Sequence, residues 1–231
     1  RATPSRRIWI PKPGSIELRP LSIPTIHDRA LQALVKSALE PEWEAKFEPN
    51  SFGFRPGRSC RDAIGSIFLV IKQKPKYVLE TDVAKCFDQI DQQALLRKLN
   101  TSPYLTRQIR AWLKAGVMDG HQFQETPTGA AQGSVVSPLL ANIALHGMET
   151  ALQKAIKGNP RPMLIRYADD LIVLHKDLKI VQDSQRFLEE WLKGMGLEMK
   201  PSKTKITHTL IPHEDQVGFD FLGYNIRQYP V

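Results

Sequence analysis

The residues Tyr167-Ala168-Asp169-Asp170 lie between two apolar stretches, Met163 to Ala168 and Leu171 to Leu174. Adjacent aspartates in such a place have an ordinary explanation, because Asp tolerates turn geometry and prefers water. A third carboxylate changes the reading. Asp82 stands at the end of another β-type run, Tyr77 to Val83. If these strands are neighbours, Asp82, Asp169 and Asp170 converge at one edge of a sheet. Like charges so close repel one another. A divalent cation offsets that repulsion, and hard oxygen ligands suit Mg²⁺. Two such ions ~3.5–4 Å apart activate an attacking oxygen and stabilise a leaving one in phosphoryl transfer. Asp88 and Asp91 read instead as helix-cap or turn residues.

Two other features bear on phosphate chemistry. The stretch Thr126 to Gly133, TPTGAAQG, precedes the helical run SVVSPLLANIAL. Its small residues let another molecule approach the backbone closely, and Gln132 offers both a donor and an acceptor. Ordinary connectors use the same residues. Lys12 and Arg19 flank Pro13-Gly14, so a hairpin there places two cations over a triphosphate. Two solvated charges on a hairpin fit that spacing equally well.

These residues need a scaffold. Residues 1–24 are rich in proline and read as extended pieces joined at Pro13-Gly14. Helical spacing runs from Ile26 to about Leu39 and ends before Pro41. Residues 49–58 read as a loop, and Ser59 as the N-cap of a helix to Lys72. Helices are expected over Asp91–Leu99 and Thr106–Ala115, and a short strand over 121–126. A long helix is expected from Ser137 to about Lys157, with Pro138 in its first turn, and another from Ile180 to Met195. Short strands near Lys205–Thr209 and Phe219–Arg227 finish the chain. From residue 77 the order is strand, helices, strand-turn-strand, helix, strand. It points to an α+β fold of the split βαβ type, an antiparallel sheet with helices on one face.

The 231 residues, 42% hydrophobic and 24% charged, suffice for one large domain or two packed lobes and argue against wholesale disorder. The formal charge is +8. Residues 1–30 hold six basic and two acidic residues, and residues 54–76 hold six basic and one acidic. Such segments form a footprint for phosphates, although a solvated surface has the same composition. Cys60 and Cys86 make no disulfide framework or CxxC motif, and the six histidines have no metal-ligand spacing. No apolar stretch approaches the ~18 residues of a membrane span, and no signal-peptide core opens the sequence. A cytoplasmic protein without membrane partners is expected.

Seven blocks occur in order: IPKPGSIELRPLSIPTIHDRALQ, SFGFRPGRSCRDAI, TDVAKCFDQID, TPTGAAQGSVVSPLLANIAL, RYADDLIVL, GLEMKPSKTKI and FDFLGY. Together, from about Trp9 to Tyr224, they resemble the reverse-transcriptase domain of group II intron-encoded proteins. The resemblance implies a right-hand polymerase, with fingers over residues 1–76 and a palm over 77–231. A fingers-side insertion falls around 91–125. The thumb and the C-terminal DNA-binding and endonuclease regions are expected to lie outside these 231 residues.

The resemblance also implies roles. Asp82, Asp169 and Asp170 match the metal-binding carboxylates, with Val83 beside them, for two Mg²⁺ ions that Mn²⁺ can replace. Phe87 matches the aromatic that crowds the sugar 2′ position, and Ala84 lies in the segment lining the dNTP. Lys12 and Arg19 match the cations on its triphosphate, and Gln132 and Gly133 the motif beside nucleotide and template base. Lys203 matches the lysine near the leaving pyrophosphate, with Lys205 a competing candidate. Phe221, Leu222 and Gly223 match the primer-holding hairpin, and Arg55, Arg58 and Arg61 are expected to bind RNA. The implied partners are a group II intron RNA, an RNA template, a DNA primer or target, and dNTPs; no residue fixes an oligomeric state. The implied activity is RNA-directed DNA synthesis, with a maturase role in splicing and retrohoming. Two alternatives remain open: a splicing cofactor that needs no polymerisation, and a CRISPR-associated or diversity-generating reverse transcriptase.

Overall fold

The computed structural model describes residues 2–11, 16–214 and 216–230. In chain order the strands are β1 (Ser5–Pro11), β2 (Leu18–Ile23), β3 (Tyr77–Asp82), β4 (Val117–Asp119), β5 (Gln122–Gln124), β6 (Met163–Tyr167), β7 (Asp170–His175), β8 (Lys205–His208), β9 (Phe219–Phe221) and β10 (Tyr224–Ile226). The helices are α1 (Ile26–Glu44), α2 (Cys60–Ile71), α3 (Cys86–Gln89), α4 (Gln92–Leu99), α5 (Pro103–Leu113), α6 (Ser137–Leu145), α7 (Met148–Ala155) and α8 (Leu178–Lys193). The chain forms two compact units, residues 1–46 with 85–144, and 47–84 with 145–231. Residues 47–76 belong to the second unit, where Phe52, Ala63, Ile67 and Ile71 pack on the sheet that contains β3.

In the first unit β1 pairs antiparallel with β2 and parallel with β4, and β4 pairs with β5. The helix α1 starts at Thr25, whose hydroxyl accepts from the Asp28 amide. Asp28 is fully buried yet well satisfied: Thr3, Thr25 and the Trp112 indole all donate to it. Burial pushes its carboxyl up, but those bonds outweigh burial and hold it below the usual range. The helix runs through Pro41 to Glu44 rather than stopping before the proline. Buried Leu39 and Trp43 bracket Pro41 and offset the missing hydrogen bond.

The second unit is built on a four-stranded antiparallel sheet in the order β6-β7-β3-β8. Val78, Ile165, Ile172 and Leu174 share one face, and there they meet Ala63, Ile67 and Ile71 of α2 and Phe219 and Phe221. Leu79, Leu171 and Val173, of the opposite parity, are buried as well; α8 packs on β3 and β7, and α7 on β6. Strands covered on both faces explain why β6 and β7 read as continuous apolar runs rather than alternating ones. Ser59 and Asp62 form a reciprocal capping box on α2. The expected helix from Ser137 to Lys157 is two helices, broken where Gly147 takes φ 86°.

Candidate active site

The register of β3 against β7 places Asp82 directly opposite Asp170. The tight turn between β6 and β7 consists of Ala168 and Asp169, so Asp170 is the first residue of a strand and not the second residue of the turn. The next rung beyond Asp82 is the Val83 amide, which donates to the Asp169 carbonyl at 3.0 Å. On the other side of the same segment, Lys200 N–H donates to the Asp82 carbonyl at 2.8 Å and Ala84 N–H to the Glu198 carbonyl at 2.8 Å. Residues 82–84 are thus clamped from both sides. A 3₁₀ turn at Pro201–Lys203 follows and brings the Lys203 ammonium onto the Asp82 carboxylate. Lys205 lies one step along β8 and pairs with Glu80 at 3.4 Å.

The electrostatics follow from this packing. Burial first, then the hydrogen bond with Asp82 and the charges of Asp82 and Asp169, push the Asp170 carboxyl up to about 7. Burial, with the Asp82 charge, raises Asp169 against the opposing Lys203 and Arg166. The bond to Asp82 holds the Lys203 ammonium above its ordinary value. The neighbouring carboxylates of Asp82 and Asp169 make a further negative charge on Asp170 unfavourable, and Lys203 supplies an opposing positive charge. Among the described residues no three His, Cys, Asp or Glu side chains already form a metal cage. The donor set nevertheless suits a hard cation: acidic oxygens, mutually repelling, with one ammonium drawn onto them.

A cavity of about 290 Å³ opens beside these groups, lined by Asp82, Asp170, Lys203 and Lys205 and closed by Phe221, Leu222 and Gly223. The expected primer-holding residues are therefore brought to the carboxylates. Leu222 and Gly223, both at positive φ, make the two-residue turn of the β9–β10 hairpin. Phe221 itself is 4% exposed and belongs to the core cluster as well as to the cavity wall.

The first unit gathers a second set. The loop 126–133 is zipped onto the segment after β3: Ala130 N–H donates to the Phe87 carbonyl at 2.6 Å, and Gly129 N–H to the Ile90 carbonyl at 2.8 Å. The Gln92 amide donates to the carbonyls of Leu113, Thr126 and Gly129. Gly129 is required here, with φ 81° and space for a Cβ only 2.5 Å from the Phe87 oxygen. The Gln132 carbonyl accepts from Ser22 N–H at 2.7 Å, and Gly133 adjoins the Ser22 oxygen. Phe87 and Gln132 line one cavity of about 290 Å³. Arg19 is exposed on β2, and Lys12 lies outside the described residues. Asp91 caps α4 as expected.

The three arginines expected to bind RNA part company. Arg58 and Arg61 are exposed. Arg55 is 7% exposed, and its guanidinium donates to the carbonyls of Glu48 and Ser51. These bonds tie the arginine to the loop that carries it, and burial leaves it less accessible than Arg58 and Arg61. A residue that no motif in the sequence singles out is Arg166, a fully buried arginine beneath the Asp169 turn. Its signal was a lone cation inside the apolar run MLIRY.

The architecture is the α+β right-hand polymerase type. It superimposes on telomerase of Candida tropicalis in complex with the TWJ fragment of telomeric RNA, with a TM-score of 0.72 and 16% identity over 98% of this chain and 44% of that one. The signature of the reverse transcriptase (RNA-dependent DNA polymerase) family spans residues 10–226, and the chain belongs to that family. Relatives include protein YkfC of Escherichia coli K12, 31% identical over 96% of this chain and 66% of YkfC. The group II intron-encoded protein LtrA of Lactococcus lactis subsp. cremoris is 34% identical over 90% of this chain and 35% of LtrA. The chain thus spans about two thirds of one relative and about a third of the other.

Proposed function

We propose that this chain is the fingers-and-palm portion of an RNA-directed DNA polymerase of the group II intron type. It would extend a primer 3′ end with dNTPs along an RNA template. The observation that carries the reading is the pairing of Asp82 with Asp170 beside the Asp169 turn. Divalent cations held by Asp82, Asp169 and Asp170, with Mg²⁺ the best fit to the donors, would supply charge neutralisation for phosphoryl transfer. The protein's own part is positioning and fixed electrostatics. The β9–β10 turn would hold the primer end near the carboxylates, with Val83 and Ala84 fixing the backbone next to Asp82. Lys203, already drawn to this cluster, would face the departing pyrophosphate. Phe87, carried on the segment that braces loop 126–133, would crowd the sugar 2′ position. Gln132 and Gly133 would adjoin nucleotide and template base, and Arg19 with Lys12 the triphosphate.

Exposed Arg58 and Arg61, together with the intron-encoded relative, favour a second role on the same chain: binding a group II intron RNA as a maturase in splicing and retrohoming. One variant tests both. Asp169→Asn should abolish primer extension on poly(rA)/oligo(dT) while RNA affinity and splicing at low Mg²⁺ persist. Undiminished cDNA yield would refute the carboxylate assignment; loss of splicing together with synthesis would refute a separable maturase role.

A further inference from the structure

The loop 49–55 and the strand β6 meet beneath the Asp169 turn, all within the second unit. Arg166 N–H donates to the Asn50 carbonyl at 2.9 Å, and Phe52 N–H donates to the Arg166 carbonyl at 2.9 Å. Ser51 therefore runs parallel to Arg166 as one more rung on the outer edge of β6. The Arg166 side chain is 1% exposed. Its Nη2 donates to Ser51 Oγ at 2.6 Å and its Nη1 to the Ala168 carbonyl at 3.0 Å.

Ala168 is the strained member of the turn, a non-glycine residue at φ 56°. It is held from two directions. The guanidinium fixes its carbonyl, which belongs to the peptide leading into Asp169. Gly53 presses on its other peptide so closely that a Cβ there would lie 2.3 Å from the Ala168 nitrogen. Below, Asn50 Nδ2 donates to the buried Glu149 carboxyl group at 2.6 Å, which ties the loop to α7. Burying a cation is expensive, and an apolar side chain of similar volume fills a core at lower cost. A guanidinium with a hydroxyl and a turn carbonyl as its partners does what an apolar side chain cannot: it sets the direction of a peptide.

We propose that Arg166, oriented by Ser51 and backed by Gly53, is a positioning residue that fixes the Ala168–Asp169 peptide and thereby aims the Asp169 carboxylate. The inference deepens the polymerase reading and rests on it for its catalytic consequence. The sequence block SFGFR is then a buttress of the active-site turn.

The test uses the natural full-length protein with Arg166→Gln, Arg166→Lys and Ser51→Ala, measured by single-nucleotide incorporation and by hydrogen–deuterium exchange. Misplacing a catalytic group by about 1 Å costs about 100-fold in rate, so Arg166→Gln should lower kcat about that much. Ser51→Ala should give a smaller loss of the same kind, and Arg166→Lys should recover part of the Gln defect. The KM for dNTP and the affinity for primer–template should stay near wild type. Exchange should quicken at residues 167–170 and not in β3 or α8. Wild-type kcat with unchanged exchange at 167–170 would overturn the proposal. So would losses that track a general drop in Tm with faster exchange throughout the sheet, since a merely structural arginine behaves that way. If Arg166→Gln does not fold, Ser51→Ala, which removes one hydroxyl, decides. A wild-type protein unable to extend a primer would count against the polymerase reading, and exchange at 167–170 would still judge the positioning.

Discussion

At the scale of single residues the site is a balance of charge. Lys203 sits on Asp82, the ligand that a cation would need. Removing the ammonium relieves that competition, so Lys203→Met should lower the Mg²⁺ concentration that half-stabilises the protein in a thermal-shift titration. The same change should slow nucleotide incorporation, because in the proposed reaction the leaving pyrophosphate would lose its cation. Lys205, engaged with Glu80, should affect both quantities less when replaced by Met. Equal effects of the two substitutions would return the choice between these lysines to the open state in which the sequence leaves it. A second balance lies at Glu149, where burial first, then the Glu48 charge, raise the carboxyl against the Asn50 bond. A carboxyl raised in the folded state binds its proton more tightly there than in the unfolded chain, where its pKa is ~4.3. Its stabilising contribution is complete below that value and is lost as pH rises through the folded pKa. Glu149→Gln keeps the oxygen that accepts from Asn50 and has no charge to lose. The variant's Tm relative to wild type should therefore climb as pH increases from about 4 towards neutrality. A parallel pair of Tm curves would show that Glu149 is not the group responsible.

At the scale of elements, backbone hydrogen bonds couple loop 126–133 to the segment holding Phe87. Gly129→Ala puts a methyl group against the Phe87 oxygen and asks a side chain to adopt φ 81°. The left-handed conformation alone costs about 1–2 kcal/mol. The expected result is a raised KM for dNTP and weaker discrimination against rNTPs, with primer–template affinity little changed; steady-state kinetics on both nucleotide types checks it. This coupling shows where sequence reading reached and where it stopped. Strands β3, β6 and β7 were legible because apolar runs bounded by turn residues leave few alternatives. Capping residues placed α2 and α4 for the same reason. The break at Gly147 was not legible, since an isolated glycine inside a helical pattern is ordinarily tolerated. The continuation of α1 through Pro41 depends on what Leu39 and Trp43 bury, which is a tertiary fact. Which two residues form the β6–β7 turn was not legible either, because Ala168, a residue with no turn preference, takes the left-handed position, and its partners Arg166 and Gly53 explain why it stays there.

At the scale of the whole chain, the net charge of +8 suggested a polyanion without saying which cations face it. Charge counting treated Arg55, Arg58 and Arg61 alike, whereas folding separates them. Arg55 is folded inward onto the carbonyls of Glu48 and Ser51. Arg58 lies at the surface over the Phe52 ring with one bond to the Pro49 carbonyl, and Arg61 is exposed on α2. Each phosphate neutralised by a protein cation releases counterions, which makes the affinity fall with salt in proportion to the number of contacts. Replacing Arg58 and Arg61 together by Ala should weaken RNA binding and reduce the slope of log K against log salt by roughly 1 to 2. Arg55→Ala should act differently. It leaves buried carbonyls without a donor, so it should lower Tm while the folded fraction binds RNA with an unaltered salt slope. Filter binding between about 50 and 200 mM salt distinguishes the two classes. An Arg55 variant with a reduced slope would mean that the loop 49–58 opens onto RNA, and the division between bracing and binding arginines would fail.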